Sequence, residues 1–183
     1  ESAKVFEAFV NLTLHTNKIK GFVGNSYIEM PFKSKCVVNI KNNDNECFKY
    51  AVLCSIFYEK ITTHKDRVKS YEPYLNSLDF ECVEFPMKIE DISKFERRNK
   101  LKINVFGMKP ILIGKNYVSE RSNFEVYPIL ISDISIKDLN RTVNLLLYKE
   151  HYIYIKNLAG IIGRQLRKEN NHSGGEKICI NCF

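Results

Sequence analysis

The chain has 183 residues, 44% of them hydrophobic, which suffices for one sizeable core and fits a single domain better than two. Its formal charge of +7 and pI near 9.0 admit an acidic partner such as nucleic acid or an anionic membrane surface. However, the cations are interleaved with 21 acidic residues, and the densest runs, FERRNKLK at 95–102 and GRQLRKEN at 163–170, are short enough to be solvated faces.

No stretch approaches the roughly 18 consecutive apolar residues of a membrane helix, and the first residues lack the basic-then-apolar order of a signal peptide. The expectation is a soluble, monomeric domain without a membrane partner. Six scattered cysteines (Cys36, Cys47, Cys54, Cys82, Cys179, Cys182) do not make a small disulfide scaffold, so a reducing, intracellular setting, cytoplasmic or nuclear, is expected.

In chain order, AFVNLTLHTNKI at 8–19 alternates apolar and polar residues from Val10 to Leu14 and reads as a strand. GNSYIEMP at 24–31 gives turn residues, a short extended piece and a proline stop, and SKCVVNI at 34–40 reads as a second strand. Asn42-Asn43-Asp44-Asn45-Glu46 is rich in capping residues, which predicts a helix starting within it and carrying Cys47 in its first turn. Phe48, Val52, Ser55 and Ile56 share one face of that helix. DRVKSYEPYLNSL (66–78), interrupted near Pro73, and EDISKFERRN (90–99) read as two further helices.

The period then changes. LKINVFG, KPILIG, FEVYPILIS, TVNLLLY and HYIYIKN are short β-branched and aromatic runs, the last two joined only by Lys149 and Glu150. LAGIIGRQLRK at 158–168 predicts a final helix, followed by a polar, glycine-containing end. Helices first and strands after, with one cysteine-bearing helix near the front, give an α+β chain. Residues 1–170 form the expected single catalytic domain, and 171–183 a polar tail.

A thiolate is the reactive form of cysteine, and a helix N-terminus or a nearby histidine favours it. Cys47 meets the first condition. Cys54, about two turns further along the same helix, is expected to be an inert buried thiol. Of four histidines, His15, His64 and His172 fall in an N-terminal strand, a polar loop and the tail, whereas His151 opens the last strand, where a side chain can reach a cleft. Asn42, Asp44 and Asn45 can present amides or backbone N–H groups to an oxyanion. The third member of a triad is left between Asn157, which can alternatively cap the following helix, and Asp133 at the end of a neighbouring strand. Cys179 and Cys182 have C-x-x-C spacing, half of a zinc site, with His172 as a third ligand at most.

The ordered stretches SYIEMP, NNDNECFKYAVLCSIFY, YEPYL, DISKFERRNKLKINVFG and VNLLLYKEHYIYIKNLAGII, ending in CINC, resemble a domain of proteins encoded by Maverick/Polinton-type transposons. In such proteins it often lies upstream of a protein-primed DNA polymerase or a nuclease. The resemblance runs from about residue 20 to the end and implies that CINC begins a truncated zinc-finger-like segment.

A more distant resemblance concerns Asp44-Asn45-Glu46-Cys47-Phe48, which is similar to the D-G-x-C nucleophile signature of ovarian-tumour-type cysteine proteases, and His151-Tyr152, which resembles the His-aromatic pair of papain-fold deubiquitinases. Asn45 stands in place of the glycine, and Ile153 where an acidic residue or Asn follows the histidine. This resemblance implies a papain-like fold, with a nucleophile helix packed on an antiparallel sheet, and a protease that cleaves after the terminal glycine of ubiquitin or a ubiquitin-like modifier. Cys47 would be the nucleophile, His151 the base, Asn157 the third member, Asn42 and Asp44 oxyanion donors, and Tyr152 the lining of the glycine channel, with no metal or cofactor. The alternatives are a non-catalytic nucleic-acid-binding module and a degenerate protease fold that retains only ubiquitin binding.

Overall fold

The computed structural model describes residues 26–110, 124–134 and 142–162. The strand read at 8–19, His15, the run after Pro110, the helix beyond 162, His172 and the CINC pair lie outside these residues.

The elements run β1 (Val37–Val38), α1 (Cys47–Phe57), a 3-10 helix (Val68–Ser77), a short 3-10 turn (Ile89–Asp91), α2 (Ile92–Asn99), β2 (Lys102–Pro110), β3 (Phe124–Leu130), β4 (Thr142–Tyr148) and β5 (His151–Ile155). Residues 158–162 are again helical. The class is therefore α+β, as the sequence predicts. The sheet differs from the expectation. Its five strands lie in the order β1-β5-β4-β2-β3, and β2 pairs with β4 in parallel, so the sheet is mixed and not antiparallel throughout. Consecutive runs suggest hairpins, but here β4 inserts between β2 and β5, a placement that alternation along single strands does not encode.

The segment read as a helix at 66–78 is also different, being 3-10 around Pro73. Proline has no N–H for an α-helical bond, and a tighter, short-range turn tolerates the loss. Of the strand read at 34–40, only Val37–Val38 pairs, against Tyr154 and Ile155 of β5.

Helix α1 is the centre of the molecule. Its residues 47, 48, 50, 51, 52, 53 and 54 are all buried, so it shows no exposed stripe along its first two turns. One side carries Cys47, Phe48, Ala51 and Val52 onto Ile103, Val105, Val143, Leu145, Leu147 and Tyr152 of the sheet, with Phe95 of α2 at the same core. The other side carries Tyr50, Leu53 and Cys54 against Ile40 and Tyr71. The opposite face of the sheet packs Phe106, Leu146, Ile153 and Ile155 on Ile161 and Ile162. In β2 and β3, Gly107 lies opposite Tyr127, whose ring occupies the space a Cβ on residue 107 would need.

Helix α2 buries Ile92, Phe95, Glu96 and Asn99, the i, i+3, i+4, i+7 spacing of one helical face. It ends at Lys100, whose φ of 52° closes a left-handed cap. Glu96 is a buried carboxylate that accepts the Ile103 N–H at 2.6 Å, joining α2 to β2. Beside it, Ser132 N–H donates to Asn104 Oδ1, and Asn104 Nδ2 donates to Asn144 Oδ1 across the parallel pair. Burial raises the Glu96 pKa, and Asp133 adds to this, while hydrogen bonds from Ser132 and Ile103 and the charge of Lys102 oppose it.

A folded pKa above the unfolded value means that the native state holds the proton longer. The stability this group contributes is complete at low pH and declines as pH rises from the ordinary carboxylate range through the raised value. Glu96→Gln keeps an acceptor for Ile103 without the charge, and is expected to flatten that decline in urea-denaturation midpoints measured from pH 4 to pH 8. An unchanged pH dependence would remove Glu96 as its source.

Candidate active site

The hairpin joining β4 and β5 turns on Lys149 and Glu150, both at positive φ (47° and 65°), the conformation a two-residue turn requires to match strand twist. This turn pairs Tyr148 with His151 and fixes His151 as the first residue of β5. Alternation along β5 then sends Tyr152 into the α1 core and His151 to the other face.

Because β1 is only two residues long, the edge of β5 beyond Val38 is uncovered by a strand, and the start of α1 fills it. The Tyr152 N–H donates to Cys47 Sγ at 3.5 Å. By covalent geometry this holds the sulfur within about 6 Å of the His151 Cα. The Cys47 sulfur and the His151 backbone, more than a hundred positions apart in sequence, are thus neighbours.

The chain leaving β1 supplies the partner of the imidazole. Asn39 Oδ1 lies 2.8 Å from His151 Nε2, while Asn39 Nδ2 donates to the Ile28 carbonyl at 2.9 Å. The second bond fixes the amide orientation, since reversing it would oppose two oxygens. With an oxygen facing it, Nε2 carries the proton, and Nδ1 is the basic nitrogen of the neutral ring. Tyr27 completes the surroundings: its N–H donates to the Asn42 carbonyl at 2.9 Å, and its ring meets the imidazole edge-on at 6.2 Å. Cys47 is 2% exposed and His151 0%, so the pair is covered in this conformation.

Asn157 and Asp133 stand elsewhere. Asn157 Oδ1 accepts the Gly160 N–H at 2.8 Å and caps the turn at 158–162, the alternative role its spacing allowed. Asp133 is exposed and acts on Glu96. Sequence reasoning missed Asn39. Its only signal was a polar residue at the end of an apolar strand, and nothing local relates it to a histidine 112 positions away.

The loop before Cys47 is built around Asp44. Its Oδ1 accepts the Glu46 N–H and Asn42 Nδ2, both at 2.9 Å, and its Oδ2 accepts the Tyr50 hydroxyl at 3.1 Å. Burial and the carboxylates of Asp44 and Glu46 raise the Tyr50 pKa, keeping that hydroxyl a donor. Asn42 also donates to the Asp44 carbonyl at 2.7 Å, so its N–H groups turn inward, and its Oδ1 has no partner among the described residues. The Asn42 side chain therefore does not offer its N–H groups toward an oxyanion. No side chain caps α1, and the donors at its start are the backbone N–H groups.

Tyr152 is a core residue, 1% exposed, with its ring edge-on to Phe48 at 5.3 Å and its hydroxyl donating to the Met87 carbonyl at 3.3 Å. Burial pushes the Cys54 thiol up to about 12, the condition of an unreactive packed cysteine. Among the described residues, no group of three His, Cys, Asp or Glu side chains could hold a metal ion, and no helix is long and apolar enough to cross a membrane. No protein-family model, curated protein or solved structure matches the chain.

Proposed function

We propose that the protein is a papain-like cysteine protease that cleaves after the C-terminal glycine of ubiquitin or a ubiquitin-like modifier. The observation that carries the reading is the Asn39–His151 hydrogen bond, set beside a cysteine at the start of a buried helix. A thiol, an imidazole and an acceptor on the far ring nitrogen are the parts of a thiol-protease triad. The resemblance of Asp44–Phe48 and His151-Tyr152 to papain-fold deubiquitinases supplies the substrate class.

In this chemistry His151 Nδ1 takes the proton from Cys47 Sγ as the sulfur bonds to the carbonyl carbon. The positive end of the α1 dipole favours the developing negative charge. Backbone N–H groups at the start of α1 hold the oxyanion, each such donor being worth about 3 kcal/mol in the transition state. The C–N bond then breaks, and the imidazolium returns its proton to the leaving amine. Water, deprotonated by His151, hydrolyses the thioester and restores the thiol. Asn39 holds the ring and stabilises its cationic form. Because the pair is buried, with the Tyr27 ring edge-on to the imidazole, substrate reaches the sulfur only after the surroundings of the pair shift.

Asn39→Ala is expected to lower kcat roughly 10–100-fold. Asn39→Asp, which keeps an acceptor for Nε2, should recover part of the activity with a shifted pH profile. Loss of thermal stability in both variants without a change in kcat or its pH profile would reduce Asn39 to a structural residue.

A further inference from the structure

The far end of α1 carries a separate cluster of cations. Lys65 Nζ lies 3.5 Å from the centroid of the Tyr58 ring and donates to the Tyr58 carbonyl at 2.6 Å. Lys156 Nζ lies 5.0 Å from the same ring, and Lys60 Nζ 5.4 Å from that of Phe57. Phe57 stacks on Tyr74 at 4.1 Å, and Tyr58 tilts against Tyr154 at 5.9 Å. These four rings are half-buried, and Lys60 and Lys156 are exposed.

Among the described residues, none of the three lysines pairs with a carboxylate. Asp66 is taken by Lys41 at 3.0 Å, which leaves the exposed Glu59 as the nearby acid. One cation would suffice to complement the C-terminal end of α1, and Lys65 does so through the carbonyl it binds. Lys60 over Phe57 and Lys156 over Tyr58 add two exposed ammonium groups at the same end of the helix, where like charges favour an anion bound between them.

We propose that this cluster is a docking surface for single-stranded nucleic acid, separate from the Cys47 site. The exposed Lys60 and Lys156 contact phosphates, with Lys65 adding its charge, and the exposed parts of the Phe57, Tyr58, Tyr74 and Tyr154 rings beside them meet unpaired bases. A duplex keeps its base faces stacked, so it offers the rings nothing, and an anionic lipid surface has no bases at all. The chain's net charge of +7 has the complementary sign. An eleven-residue helix separates the cluster from Cys47 by about 16 Å, so a strand bound there leaves the reactive end accessible.

The test is fluorescence anisotropy of a labelled oligothymidine of about 20 nucleotides, a length of one to several single-strand site sizes, with the whole chain and two variants. Lys60→Glu/Lys156→Glu changes only exposed residues, and the triple variant adds Lys65→Gln. The double variant is expected to bind at least about tenfold more weakly at 0.1 M salt, with the slope of log affinity against log salt smaller by about 1.4. Its thermal midpoint and the alkylation rate of Cys47 should be unchanged. Unaltered affinity and slope in the double variant would overturn the proposal. So would preference for duplex over single strand, or binding of phosphatidylserine vesicles with no binding of the oligonucleotide.

Discussion

Replacing Cys47 by alanine is expected to reduce hydrolysis of a ubiquitin-derived substrate by at least about 10³-fold, while the protein stays folded. The size of the loss follows from the role proposed for the sulfur. Without it no thioester forms, and the backbone donors at the start of α1 and the oriented imidazole act only on water. The effect on stability is small by comparison, because the change removes one buried sulfur and its weak bond from the Tyr152 N–H at 3.5 Å. Cys54→Ala is the matched control. It lies on the same helix and is equally buried, but its thiol is held near 12 by desolvation, and its loss should leave kcat untouched. Equal activity loss in the two variants would mean that the helix, and not a particular thiol, is what the assay reads.

Phe48→Ala is expected to give the largest loss of stability, about 3–5 kcal/mol. The side chain is fully buried, with ring contacts to Phe95 at 5.4 Å and to Tyr152 at 5.3 Å. It therefore joins α1 to both α2 and β5, and neither neighbour can collapse into the space without breaking its own packing. Against a total of roughly 5–15 kcal/mol for a domain of this kind, the thermal midpoint should fall by roughly 10 °C. Because Tyr152 carries the N–H that meets Cys47, activity should fall as well. A change in the urea midpoint worth under about 1 kcal/mol would show that the ring cluster is not the core of the fold.

Much of this architecture could be read from local patterns. The polar run 42–46 marked where α1 begins, because polar residues before an apolar stretch state a helix start in a few adjacent positions, although no side chain caps the helix. Two apolar runs separated only by Lys149 and Glu150 left no connection but a tight hairpin, which placed His151 at the head of β5. The readings that differed depend on partners distant in sequence. The parallel β2–β4 pair follows from strand order, and no strand carries that order in its own alternation.

Asn39 met His151 only because β1 stops after two residues and the chain turns across the end of β5. Asn157 had the right side chain but stood six residues along an extended strand, too far to return to the imidazole, and its oxygen took the local N–H of Gly160 instead. Asn42 was read for its donors, and those donors were consumed by Asp44 two residues away. Side chains with a nearby backbone partner tend to use it, which is why Asn157 took the local N–H of Gly160 and the local reading did not reach Asn39.

The central claim is that Cys47 is a nucleophile activated by His151 and Asn39 and presented to a ubiquitin-like C-terminus. Its most direct test is the intact mass of the protein after incubation with ubiquitin bearing a C-terminal electrophile, alongside Cys47→Ala. One covalent ubiquitin on the unaltered protein, mapped to Cys47 and absent from the variant, is the predicted result. A folded protein that gains no adduct, or gains it on another cysteine, would contradict the account.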